Sequence, residues 1–447
     1  MAKISKIVSA FAITVSIASL AVSSAEAQNR SERPAAAPAA PQVSRAFGTA
    51  YQAANTAIQA ATTAQAEQAA ATPVSWTAAE TAVAALHAAA TAPYEHFLSA
   101  QADFRIASGK RSVPGQLAAV DAMIASEGIP AANQPGIFAA GGQLAYNAQD
   151  FTKAASRIQR AIELGSTTEG LPVLYLDALA RGGQIEQLLT VSRAAIASAT
   201  AAGTVAPDAY YSFPARALQE ADRNAELADW LVKRAQAYPT PGNVRSAGVA
   251  YLQNTPDNRG ITLDVLRLMT AAQAMSDRRF FLEYAAEVAE EGLPNEAMTV
   301  IAAGRASGLI PATDRSFNEI EASQRDKLAE DRASLAGAER RAMAAPDARL
   351  ATLIGDAYLS YNNNEKAESL YTAALGKTGA DVGLINTHLA IARFHAGNMD
   401  GALQALALVQ DGRAPIARMW EAVIKARQAA AAPAPAAAAP AASATAQ

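Results

Sequence analysis

The chain has 447 residues, a formal net charge of -4 and only 17% charged residues, against roughly 25% in ordinary globular domains. That balance excludes a charge-rich disordered chain and a basic nucleic-acid binder, so no nucleic acid is expected as a partner. The absence of cysteine excludes disulfides, thiolate metal sites, Cys nucleophiles and lipid attachment at a Cys, and four histidines leave little for a His-based metal centre.

Residues 1–27 read as an export signal. Lys3 and Lys6 supply a positive start, Ile7 to Val22 is apolar and uncharged, and Ala25-Glu26-Ala27 forms an A-x-A cleavage site that leaves Gln28 first. The apolar run is 16 residues, short for a membrane span of roughly 20. The mature product is therefore expected outside the cytoplasm, with the periplasm as the natural compartment and no transmembrane span after cleavage. Residues 28–43 follow as a Pro/Ala linker, and residues 429–447 form a second Ala/Pro stretch. Pro interrupts helices and such compositions build no core, so both are expected to be flexible spacers.

Between them, Ala, Leu, Gln, Glu and Arg dominate, and no alternating β-branched run appears. The expected fold is all-α. Residues 44–128 form Ala-rich helices around Trp76 and Pro93-Tyr94-Glu95-His96-Phe97, as a separate region or a cap. Residues 129–428 break into helices of roughly 10–20 residues at Gly, Pro or Asn signals such as Gly128-Ile129-Pro130, Pro239-Thr240-Pro241, Asn362-Asn363-Asn364 and Gly397-Asn398. Residues 314–341 carry 13 charged residues of mixed sign behind an apolar stripe of Phe317, Ile320, Leu328 and Leu335, the pattern of a solvated helix face.

The most regular unit is 348–381. Gly355 precedes Tyr358 by three residues, a turn follows at Asn362 to Asn364, and Ala367, Tyr371 and Ala374 recur on the next helix. This resembles the tetratricopeptide repeat, with a departure at Gly379, where the family pattern has Pro. Weaker units stand in register at Ala402-x3-Leu406, Ala297-x3-Ile301 and Ala154-x3-Ile158, giving a period near 35 and about seven pairs between 131 and 412. The resemblance implies an α-solenoid of stacked antiparallel helix pairs. In it Gly355 and Ala367 permit close helix approach, while Tyr358, Tyr371 and Ala374 fill the repeat core.

The resemblance also implies a concave groove lined by the first helix of each pair. It assigns Thr352, Asp356, Leu359 and Ser360 to that groove in one unit, and Thr387, Ile391, Phe394 and His395 in the next. The Lys/Asn/Arg set with which the family clamps a C-terminal carboxylate is missing there. The expected task is a scaffold that binds a protein or peptide of the cell envelope, without catalysis, cofactor or metal. For Phe394 the alternative is burial beneath a C-terminal helix bearing Trp420.

Motifs for catalysis are missing: there is no H-E-x-x-H, G-x-S-x-G, G-x-G-x-x-G or P-loop. His388 and His395, seven residues apart, stand about 10 Å apart along a helix, too far to share a metal without other ligands. They are expected to line the groove or the surface. His87 and His96 show no carboxylate pairing pattern, and Trp230 and Trp420 are expected in packing roles. The competing reading is an enzyme or enzyme accessory of envelope polysaccharide or peptidoglycan metabolism, with a site that no motif announces.

Overall fold

The structure is a computed structural model that describes residues 42–67, 74–255, 258–410 and 412–431. The signal segment 1–27, the linker up to residue 41 and the tail from residue 432 lie outside the described residues. Among the described residues there is no strand. Apart from one short 3-10 turn, Ala131–Asn133, every regular element is an α-helix, as the missing alternation and the abundance of strong helix formers require. The chain divides into two compact units, one through Val191 and one from Ser192.

The first unit holds α1 (Arg45–Glu67), α2 (Thr77–Ala89), α3 (Pro93–Gly109), α4 (Val113–Ala125), α5 (Gln134–Asn147), α6 (Phe151–Glu163) and α7 (Leu171–Arg181), and the division falls within α8 (Ile185–Ala201). One apolar core joins Phe47, Ile58, Trp76, Leu86, Phe97 and Met123, and it runs past residue 128 to Ile129 and Ile137. Glu95 is buried at the entry of α3. Burial pushes its carboxyl upward, but the N–H groups of Ser44 and Thr91 donate to it at 2.7 and 2.8 Å and bring it down to about 2.

The second unit contains α9 (Ala209–Glu220), α10 (Asn224–Ala237), α11 (Pro241–Gln253), α12 (Arg259–Ala271), α13 (Arg278–Glu290), α14 (Pro294–Ala306), α15 (Arg315–Ala344), α16 (Ala348–Ser360), α17 (Asn364–Leu375), α18 (Val382–His395), α19 (Met399–Leu406) and α20 (Ala414–Ala431). Successive helices pack on one another. The punctuation follows side-chain chemistry. Asp347, Asn363, Asp381 and Asn398 cap α16 to α19, each accepting a hydrogen bond from a backbone N–H of the first turn. The reversals before the caps of α17 and α19 use Asn362 (φ 58°) and Gly397 (φ 80°), the residue types that tolerate the left-handed region.

Helix pairs meet where a side chain is missing. A Cβ on Gly355 would lie 2.6 Å from Tyr371, and one on Gly142 would lie 2.5 Å from Ile158, so α16–α17 and α5–α6 cross through the same device. Ala367, Tyr371 and Ala374 have no exposed surface, and Tyr358 is buried with its hydroxyl donating to Glu339 at 2.6 Å. The long α15 buries Phe317 and Leu335 and exposes most of its charges. The last helix does not simply extend the row. α20 packs on α19 and α18 and also returns to α10 and α12.

Tyr371 fills the α16–α17 crossing and donates to Asp356 at 2.6 Å. Tyr371→Ala is therefore expected to cost about 3–5 kcal/mol, read by chemical unfolding. A loss under about 0.5 kcal/mol, the range of surface changes, would place the ring outside the core.

Candidate functional site

The second unit draws a cluster of charge into its centre. α12 reads Ile261-Thr-Leu-Asp264-Val-Leu-Arg267-Leu-Met269 and is buried on nearly every side. Asp264 and Arg267 are three residues apart and so project from one face, inside an otherwise apolar helix. Asp356 comes from α16, His388 from α18, Glu296 from the first turn of α14, and Arg413 from the residue before α20.

His388 stands between two carboxylates. Its Nε2 is 2.9 Å from Asp264 Oδ1, and its Nδ1 is 2.6 Å from Asp356 Oδ1, a close ion pair whose angle falls short of a hydrogen bond. Arg413 Nε donates to the other Asp264 oxygen at 2.8 Å. Arg267 holds Glu296 through a two-pronged contact at 2.8 and 2.7 Å, and Tyr284 donates to the same carboxylate at 2.7 Å. With His388 protonated, the carboxylates of Asp264, Asp356 and Glu296 face three cations, and the cluster is neutral.

Electrostatics fixes that protonation. Burial pulls the His388 imidazole downward, but the Asp356 and Asp264 carboxylates outweigh it and raise it to about 9. Burial pushes the acids upward, yet each is held below its ordinary range: Asp264 by His388 and Arg413, Asp356 by His388 and Arg267, and Glu296 by Arg267 and Tyr284. Burial and the adjacent carboxylates drive the Tyr284 and Tyr371 phenols well above their usual value. No member of the cluster is thereby poised to exchange a proton near neutrality.

The same convergence changes the place of the groove residues. Thr352, Leu359, Ser360, Thr387, Ile391 and Phe394 are all buried, contrary to an open groove on α16 and α18. The Thr352, Ser360 and Thr387 hydroxyls turn back to carbonyls of their own helices. Asp356 belongs to the charge cluster. Phe394 meets Trp420 of α20 edge to face, ring centroids 5.3 Å apart, because α20 occupies the space that an open repeat array leaves to solvent. Of the eight assigned residues only His395, beside Phe394, is exposed. His388, expected in the groove or at the surface, is 4% exposed instead, for the same reason. Trp230 packs in the interior and donates to the Tyr211 carbonyl at 2.9 Å.

In the first unit, His87 pairs with Asp103 at 2.6 Å and Lys110 with Glu80 at 2.6 Å, beside a cleft of about 340 Å³ floored by Val83 and Ile106. The partner of His87, sixteen residues away on the next helix, leaves no local spacing signal. Among the described residues, no group of three or more His, Asp or Glu side chains has the arrangement to hold a metal ion.

Asp264, Arg267, Glu296 and Arg413 match no motif. The readable signal was the pair of opposite charges inside the apolar stretch 261–269, since charges are rarely buried unless paired. Comparison with protein-family models and with curated proteins finds no match for the chain.

The folded His388 value lies above the ordinary 6.5. Its contribution to stability is therefore complete below about pH 6.5 and is lost as pH rises through about 9, a loss on the order of 3 kcal/mol. Thermal unfolding from pH 6 to 10 should show this fall, and His388→Gln should be less stable at pH 7 and flat across that window. Equal slopes in the two proteins would remove His388 as the cause. A second measurement addresses the filled groove: Ile391→Ser combined with Phe394→Ser should destabilise by about 4 kcal/mol or more. An unchanged melting temperature would mean that the face is not packed.

Proposed function

We propose that the chain is an exported, non-catalytic α-helical scaffold, built as a tetratricopeptide-like α-solenoid, that works in the periplasm by binding a protein or peptide partner. The Gly355–Tyr371 and Gly142–Ile158 crossings support the repeat reading, since one close-approach device recurs in two helix pairs. The A-x-A site before Gln28 supports export. Among the described residues, no helix is long and apolar enough to cross a membrane.

The observation that carries the non-catalytic reading is the paired, charge-balanced state of the central cluster, in which Asp264 is fully buried and Glu296 and Asp356 are mostly so. A glycan-cleaving enzyme needs two reachable carboxyl groups, one raised enough to act as an acid. Asp264, Glu296 and Asp356 converge, which is what an enzyme reading would draw on. All three are lowered, all three are bound to cations, and Asp264 has no exposed surface. The chemistry left to such a molecule is recognition by surface and shape.

Two experiments test this reading. Sequencing the mature protein from cells should give Gln28 as the first residue, and recovery of chains beginning at Met1 in the exported fraction would contradict export. A photo-crosslinking amino acid in place of the exposed His395 should give a discrete protein adduct in the envelope, while the same group at Glu330, on the exposed side of α15, should not. Absence of adducts together with turnover of envelope glycan by the purified protein would favour the enzyme reading instead.

A further inference from the structure

The first unit carries an open trough with charge of both signs at each end. Glu80, Ala84 and His87 share one face of α2, and Asp103, Ala107 and Lys110 repeat the same acid, alanine, base order along α3 and its C-cap. The two rows run in opposite directions, so Glu80 meets Lys110 at 2.6 Å at one end and His87 meets Asp103 at 2.6 Å at the other. The ion pairs stand seven residues apart on each row, about 10 Å by helix rise. Between them Ala84 and Ala107 leave the space that larger side chains would fill, with the buried Val83 and Ile106 as the floor of the cleft of about 340 Å³. Small-molecule sites begin at roughly 300 Å³.

The ion pairs leave bonding capacity of both signs unused. Asp103 engages only Oδ2 and Glu80 only Oε1, so each keeps an oxygen without a partner among the described residues, and the Lys110 ammonium has one such partner for its three N–H groups. The four side chains are 40–46% exposed, and pairs this exposed add little to stability, so each group can take a second partner at small cost. The two ends also differ. Lys110 is followed closely by Ser112, the N-cap of α4, whose hydroxyl oxygen accepts from the Gly115 N–H at 3.2 Å, and both residues line the cleft. The positive end of α4 therefore adds to the ammonium at that end.

We propose that this trough binds a short zwitterionic peptide, about three residues long, with small apolar side chains. Its carboxylate sits at Lys110 and the start of α4, its ammonium at Asp103 Oδ1, and its side chains lie over Val83 and Ile106. The length follows from the span: an extended chain covers roughly 3.3–3.6 Å per residue, so three residues match about 10 Å. The side-chain class follows from the floor and the two alanines, which offer methyl groups and no polar partner. The site goes beyond the scaffold reading and stands on the first unit alone.

Equilibrium dialysis of the full chain against isotope-labelled trialanine tests this. Uptake should saturate, and acetylating the peptide's amine or amidating its carboxylate should each weaken it at least about tenfold, the loss of one charge-assisted contact. Two variants at exposed positions locate the ends. Lys110→Gln should weaken uptake of trialanine and leave that of its amide unchanged, while Asp103→Asn should weaken uptake of trialanine and leave that of the acetyl peptide unchanged. Ala84→Leu should abolish uptake by filling the trough, with helicity and melting temperature preserved because position 84 is exposed. No saturable uptake up to about 10 mM peptide would overturn the proposal. So would uptake that Ala84→Leu leaves intact, or acetate and inorganic phosphate competing as well as trialanine, the mark of a plain anion site. Failure on any of these counts leaves envelope adducts at His395, and with them the scaffold reading, unaffected.

Discussion

The protonated imidazole of His388, held between Asp264 and Asp356, is the constraint on which the second unit depends. It joins α12, α16 and α18, and its contact with Asp264 spans 124 residues of sequence. A lone carboxylate in that interior would be costly to desolvate, and two facing one another would repel. One imidazolium between them resolves both problems, provided all three helices keep their register. Hydrophobic packing alone tolerates sliding by a fraction of a turn; a charge contact at 2.6–2.9 Å does not. The apolar residues of α12 and α18 supply cohesion, and the cluster selects one arrangement among those that cohesion allows.

The features legible in the sequence are the local ones. Helix existence follows from composition, and the breaks at Asn362 to Asn364 and at Gly397-Asn398 follow from capping and left-handed backbone chemistry that acts over four or five residues. The Gly355–Tyr371 crossing was legible because its partners lie sixteen residues apart within one helical hairpin. The shared face of Thr387, Ile391 and Phe394 was legible too, from spacing alone. The neighbour of that face was not. Whether it looks on solvent or on α20 depends on where a helix some thirty residues later comes to rest, and no periodicity in either helix encodes that.

The charge cluster was hidden for a related reason. Asp264 and Arg267 differ in no local respect from a solvated i, i+3 pair except for the apolar residues around them. Their partners come from α14, α16, α18 and the approach to α20, between 29 and 149 residues away. A single chain read without relatives offers no pairing between such distant positions. The histidine shows the limit plainly. Its distance from His395 along the helix argued correctly against a shared metal, but the two carboxylates that define its chemistry sit on other helices.

The members of the cluster are not equally secured, and this difference shapes what the fold can do. Arg267, Glu296 and Tyr284 belong to α12, α14 and α13, helices linked in close succession and packed in the core, so their two-pronged contact is fixed by three independent elements. Asp356 is held from α17 through Tyr371 and from α18 through His388. Arg413 alone arrives from a connecting stretch, at the threshold of the terminal helix. The centre of the unit is therefore tied together from several helices, while its charge neutrality depends on a residue at its edge. The terminal helix thus closes the unit twice over, because it brings both the aromatic that covers Phe394 and, at its threshold, the cation that completes the cluster.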